Sequence, residues 1–202
     1  MKKRRVFVAV VSNYTTRDSP NLKKLREHLT RRGVDFAIVR SPDELLEVQR
    51  AATHVILTCS SISALSFMNR DIVRMNVMAL LLDVPKLCIC YSHQLLATLV
   101  GGTIRAMPAA VTGVLPARLD TRHWLFRGVD ADARVRMSHR TCVYGVPPDF
   151  RVIATSRKCR IQAIADDARK MYGVQFHPEA LPGTTAILDN FCAFSGRYTR
   201  AA

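Results

Sequence analysis

The chain has 202 residues, of which 49% are hydrophobic and 23% charged; this suits a single domain over 1–202 with a substantial core and excludes disordered or fibrous classes. Thirty Lys plus Arg against 16 Asp plus Glu give a net charge of +14, which favours an anionic partner such as an acidic protein. Nucleic acid is argued against, because no basic stripe with interleaved aromatics and no recognised binding motif is present.

In chain order, Arg5 to Val11 is a continuous β-branched run, the pattern of a strand buried on both faces. The longest basic cluster, Lys2 to Arg5, precedes it. Val6 to Val11 is too short for a signal peptide, and the apolar region Val77 to Tyr91 is broken by Asp83, Pro85 and Lys86. A cytoplasmic protein outside the membrane is therefore expected. Leu22, Leu25 and Leu29 at helical spacing, closed by Gly33, predict a helix over Asn21 to Arg32. Val34 to Val39 is a second strand, and Ser41-Pro42-Asp43-Glu44 has the composition of a helix start. His54 to Thr58 is a third strand, followed by polar Ser60 to Ser63 and a helical stretch to about Asp83. Leu87 to Cys90 is a fourth.

This alternation predicts an α/β fold with a mostly parallel sheet covered by helices. From Thr103 to Ile164 the texture changes to short strand-like runs, Ala110 to Val114, Ala133 to Met137, Phe150 to Ala154 and Ile161 to Ala165. These read as an antiparallel elaboration of the same domain. Met171 to Phe176 is a further strand, and Pro182 to Phe194 a closing helix. Ligands of such sheets bind beyond the carboxyl ends of the strands. That edge carries Ser12-Asn13, Cys59-Ser60-Ser61 and Cys90-Tyr91-Ser92.

Six cysteines (Cys59, Cys88, Cys90, Cys142, Cys159, Cys192) are scattered without zinc-type Cys-x-x-Cys or Cys/His spacing. Free thiols in a reducing compartment are expected, with no metal and no tightly bound cofactor. Cys90 stands out because it lies where a strand turns sharply into a helix, near unpaired N–H groups that favour the thiolate. A second stretch, Gly173-Val174-Gln175-Phe176-His177-Pro178-Glu179, ends a strand in an imidazole and a carboxylate. Amide hydrolysis by a thiol needs a nucleophile, a base and a group that orients the base. Cys90, His177 and Glu179 supply those types. The remaining cysteines, His54 and His123 read as packing or surface residues.

Gly-Val-Gln-Phe-His-Pro-Glu resembles the catalytic His/Glu signature of the class I glutamine amidotransferases, and Cys90 to Ala97 with Gly101-Gly102 resembles their nucleophile segment. Leu125 to Gly128, Met137 to His139 and Phe150 to Ser156 are similar, in the same order, to the amidotransferase part of GMP synthetases. The resemblance implies a flavodoxin-like domain that hydrolyses glutamine to glutamate and ammonia. Ammonia passes to an ATP-dependent synthetase, here a separate subunit, because the chain has no ATP-binding motif. By motif position Cys90 forms a γ-glutamyl thioester, His177 is base and acid, and Glu179 orients it. Backbone N–H groups of Tyr91 and Ser60 supply the oxyanion donors, while Gln94, Ser138 and His139 lie near the substrate.

The chain departs from the family pattern where glycine is replaced, at Cys59, Ser60, Cys88, Ser92 and Arg140. Glycine serves there because a strained elbow and an oxyanion-binding turn leave little room for a Cβ. Three functions stay open on this pattern. One is a glutaminase with accommodated replacements, and another is a thiol hydrolase of a different γ-glutamyl substrate read by Arg140. The third is a non-catalytic binding or regulatory protein.

Overall fold

Apolar runs too short for helices become the parallel strands of a sheet. They are β1 (Phe7–Val11), β2 (Asp35–Val39), β3 (His54–Leu57) and β4 (Lys86–Ile89). The computed structural model describes residues 5–16, 19–65 and 70–195, so most of the basic cluster at Lys2 to Arg5 lies outside the described residues, as does part of the stretch after β3. The helices are α1 (Pro20–Arg31), α2 (Pro42–Val48), α3 (Arg70–Leu81) and α4 (Tyr91–Leu99). Helix α1 buries Leu22, Leu25 and Leu29 along one stripe and stops at Gly33, whose φ of +63° suits glycine. Helix α2 is capped by Ser41, whose Oγ accepts from the Glu44 N–H at 3.1 Å.

The strand order is β2-β1-β3-β4-β9-β8-β7-β5-β6, with β5 (Thr103–Leu119), β6 (Asp132–Gly145), β7 (Arg151–Thr155), β8 (Ala163–Asp166) and β9 (Met171–Val174). From β2 to β9 the pairings are parallel, and from β9 onward antiparallel. This is the expected α/β architecture with its antiparallel second half. Strand β1 shows why it needs helices on both sides: Val8 and Val10 join one apolar cluster, Ala9 and Val11 the other. The first cluster holds α1 and the final helix α5 (Ala186–Ala193), while the second holds Leu45, Met75, Ala79 and Leu96 of α2, α3 and α4. Each fully buried Leu or Val side chain contributes about 1.5–3 kcal/mol.

Two expectations need correction. The short strands Ala110 to Val114 and Ala133 to Met137 are pieces of one long hairpin, β5–β6. Pro108, Gly113 and Pro116 lie within β5: a register shift between Ala106 and Val111 takes up the first, and Gly113 stays in the ladder at φ +114°. Most of β5 is exposed, so burial gives it no clean alternation, whereas β6 alternates well. The closing helix is shorter than Pro182 to Phe194, because Pro178–Ala180 and Pro182–Thr184 form 3-10 turns before α5 begins. Gly183, directly after Pro182, is a poor helix former within what would be the first turn. Among the described residues no helix is long and apolar enough to cross a membrane.

Candidate active site

At the carboxyl edge of the parallel strands, β4 turns into α4 at Cys90, which has φ 53° and ψ −98°. A side chain in that region is strained and persists only where neighbours over-determine it. The Cys90 N–H donates to Val174 O at 2.7 Å, and Cys90 O accepts from the Gln94 N–H at 3.2 Å, so strand and helix hold the bend between them. The replaced glycines on either side are absorbed differently. Cys88 is fully buried in the apolar cluster under α3 and α4. Ser92 joins a buried polar network: its hydroxyl donates to Thr58 O at 2.7 Å and accepts from Asn13 Nδ2 at 2.7 Å. Asn76 Nδ2 in turn donates to Asn13 Oδ1 at 2.7 Å. The ends of β1 and β3 and the helices α3 and α4 are thereby tied together.

Strand β9 delivers the second half of the site. His177 and Glu179 are buried, and His177 Nδ1 lies 2.8 Å from Glu179 Oε1. A carboxylate only accepts, so it holds the ring proton on Nδ1 and turns Nε2 outward as the reactive nitrogen. The side-chain amide of Asn21 stands 3.0 Å from the same Nδ1. A ring nitrogen of His177 and the sulfurs of Cys90 and Cys59 all lie within 4.8 Å of one another. With Nδ1 engaged, that nitrogen is Nε2, which is buried and has no hydrogen-bond partner among the described residues. Gln175 Nε2 donates to Cys90 Sγ at 3.6 Å, and the Cys90 thiol is 3.9 Å from Ser138 O.

Electrostatics binds the group into one unit. Burial pulls the His177 pKa down, but the Glu179 carboxylate and then Cys59 outweigh it and raise it to about 10. The thiols titrate as a pair. The hydrogen bond from Cys90 holds the Cys59 pKa well down despite burial, with His177 and the Tyr91 N–H adding to the effect. The same bond to Cys59, and then burial, push Cys90 well up. One thiolate beside an imidazolium is the stable charge state, because two adjacent buried thiolates repel.

A cavity of ≈ 230 Å³ opens over these atoms, lined among others by Cys59, Ser60, Cys90, Tyr91, Gln94, Ser138, His139 and Arg140. All eight residues singled out from the sequence therefore meet at one place, six of them on the cavity wall with His177 and Glu179 behind Cys90 and Cys59. Their readiness for a ligand differs. The Tyr91 N–H faces the two sulfurs. Ser60 uses its hydroxyl locally, donating to Asn13 O at 2.8 Å and accepting from the Ile62 N–H at 3.2 Å. Gln94 donates through Nε2 to Thr141 O at 2.7 Å and Gln175 Oε1 at 2.9 Å, which leaves its Oε1 for a ligand. His139 Nδ1 is 3.0 Å from Thr141 O, and burial lowers its pKa to about 4, so the ring is neutral. Arg140 is exposed at the rim, with Nη2 3.4 Å from Pro108 O, and leaves the cavity open. A larger hollow of ≈ 490 Å³ by Leu115, Met137 and Lys158 carries no comparable cluster among the described residues.

Several members of the site are missing from the sequence reading. Cys59 is read there as a packing thiol, yet it stands beside Cys90 and His177. Zinc-type spacing is absent because the three residues come from the ends of three different strands. The only sequence signal for Cys59 is its place after β3 on the ligand-binding edge. Gln175 is signalled by alternation, two positions before His177. Asn21 reaches His177 from α1 and has no local signature.

The family described as Glutamine amidotransferase class-I matches residues 17–193. The chain belongs to the class I glutamine amidotransferases. Within this family it is 42% identical over 112 residues to a glutamine-hydrolysing GMP synthase of Caldanaerobacter subterraneus, covering 54% of this chain and 22% of that protein. A second, from Clostridium perfringens, is 41% identical over 98 residues, covering 48% and 19%. The amidotransferase chain thus spans about a fifth of the length of these curated relatives. The fold matches a Thermoplasma acidophilum protein provisionally assigned as one subunit of a GMP synthase, at TM-score 0.81 and 21% identity over 94% of each chain. It also matches a glutamine amidotransferase of Thermotoga maritima, at TM-score 0.70 and 18% identity, covering 92% of this chain and 81% of that one.

Proposed function

We propose that this amidotransferase hydrolyses glutamine to glutamate and ammonia, with Cys90 as nucleophile, His177 as base and acid, and Glu179 orienting His177. The observation that carries this reading is the convergence of the Cys90 sulfur and a His177 nitrogen within 4.8 Å, with Glu179 on the far side of the ring. Movement of the shared proton from Cys90 to Cys59 leaves Cys90 as the thiolate. Its sulfur attacks the glutamine amide carbon, and the developing oxyanion takes the Tyr91 and Ser60 N–H groups. His177 gives its Nε2 proton to the leaving amine, ammonia departs, and a γ-glutamyl thioester remains. Water then attacks the thioester with His177 accepting its proton, glutamate leaves, and the thiol–thiolate pair is restored.

The GMP synthases among the relatives support delivery of ammonia to a GMP-synthase-type synthetase component. The +14 charge favours docking on an acidic surface of that component. The test is glutamate release from glutamine, alone and with such a component, beside Cys90→Ala. Turnover that disappears in the variant is the expected result. Equal activity in the variant, or none in either protein with the synthetase present, contradicts the reading.

A further inference from the structure

Cys59 changes what this edge of the sheet can bind. It comes from the end of β3, Cys90 from the elbow after β4, and His177 from the end of β9, and all three side chains are buried. Two sulfurs and an imidazole nitrogen within 4.8 Å of one another form a soft donor set. A tetrahedral zinc ion, with Zn–S of about 2.3 Å and Zn–N of about 2.0–2.1 Å, holds such atoms about 3.5–3.8 Å apart. Small side-chain rotations close that gap.

A second observation points the same way. His177 Nε2 is a buried polar atom with no hydrogen-bond partner among the described residues, at a residue only 1% exposed. Its other nitrogen meets Glu179 Oε1 at 2.8 Å. A carboxylate on the remote nitrogen is the arrangement that orients metal-binding histidines and raises their basicity. Two thiolates also balance the charge of a divalent ion, and the cavity bordered by Cys59 and Cys90 leaves a fourth position for solvent.

We propose that Cys59, Cys90 and His177 form a binding site for a zinc-class divalent ion, one that seeks thiolate and imidazole. As the ion binds, the one proton shared by the two thiols and the Nε2 proton of His177 pass to solvent, which leaves two thiolates and a neutral imidazole as ligands. The site stands on these three side chains whatever reaction the cavity supports. Where the glutaminase reading holds, the ion also occupies the nucleophile and its base, so uptake silences hydrolysis reversibly.

The test uses the whole chain with its thiols kept reduced by a phosphine. Zinc is titrated against a chromophoric chelator, and cobalt(II) serves as the spectroscopic reporter. One ion per chain is expected, with thiolate-to-cobalt charge-transfer absorption. Cys59→Gly and Cys90→Ser each weaken zinc binding by at least about 100-fold, beyond the range seen for loss of an outer-shell partner. Cys142→Ser, away from the site, leaves it unchanged. Should either site variant unfold, as seen by circular dichroism, the unaltered chain still decides the matter. No stoichiometric uptake, or uptake without thiolate charge transfer, overturns the proposal, as does folded Cys59→Gly binding zinc as tightly as the unaltered chain. No glutamine is present in the assay, so a silent glutaminase that binds zinc separates this proposal from the catalytic one.

Discussion

At Cys59 a second thiol stands within 4.8 Å of the Cys90 sulfur and of a His177 nitrogen. Its hydrogen bond with Cys90 leaves the two thiols sharing a proton. Because the hydrogen bond to Cys59 is the leading cause of the raised Cys90 pKa, removing that sulfur should lower it. In metal-free Cys59→Ser, the alkylation of Cys90 by iodoacetamide is therefore expected to follow a pH profile displaced to lower pH. A profile that stays in place or moves upward contradicts the shared-proton picture. At this scale the sequence is a partial guide. Cys90, His177 and Glu179 are legible because thiol, imidazole and carboxylate each sit at a strand end within a recognisable motif. Cys59 and Asn21 are not, since what matters is their approach to His177 across the sheet, and nothing local in the chain encodes it.

Among the elements, the carboxyl ends of β1 and β3 and the helices α3 and α4 are joined by the Asn13–Thr58–Asn76–Ser92 network rather than by close glycine packing. Ser92 is 1% exposed and bonds Thr58 O and Asn13 Nδ2 at 2.7 Å each. Ser92→Ala leaves buried polar groups with fewer partners, which costs about 1–3 kcal/mol. Urea unfolding should show that loss as a lower midpoint with an unchanged slope. A midpoint within error of the parent protein refutes a structural role for the hydroxyl. Helix α1 and the parallel strands are legible from periodicity and β-branched runs. The β5–β6 hairpin is hidden because its first strand is largely exposed and interrupted by prolines, so neither burial nor propensity marks its length.

Across the whole molecule, buried histidines set the response to acid. His93 on α4 is fully buried, neither ring nitrogen has a hydrogen-bond partner among the described residues, and burial followed by the charge of His139 lowers its pKa to about 3. Gly173 of β9 makes room for the ring, since a Cβ there would stand 2.4 Å from His93 Nδ1. His139 is lowered to about 4, again chiefly by burial. Both rings have an ordinary pKa of 6.5. Below that value the unfolded chain binds protons that the folded chain refuses. Stability therefore falls as pH drops from about 6.5 toward 4, each ring contributing up to about 1.4 kcal/mol per pH unit. His93→Leu should flatten this limb by roughly one histidine's share. An unchanged slope between pH 6 and 4.5 would mean that His93 is protonated in the folded state. At this scale the alternation of strands and helices fixes which edge of the sheet carries the site. The crossing of the chain back to β9, which brings His177 beside Cys90, is known only from the family motif until the topology is seen.

The measurement that bears most directly on the account is peptide mapping of the protein after reaction with an electrophilic glutamine analogue. The two neighbouring thiols make the site of attachment informative. A single adduct on Cys90 is expected, slowed by glutamine and greatly reduced in His177→Gln, with Cys59 unmodified. An adduct on Cys59, or none at all under conditions where free thiol reagents reach Cys90, would contradict Cys90 as the nucleophile of this amidotransferase.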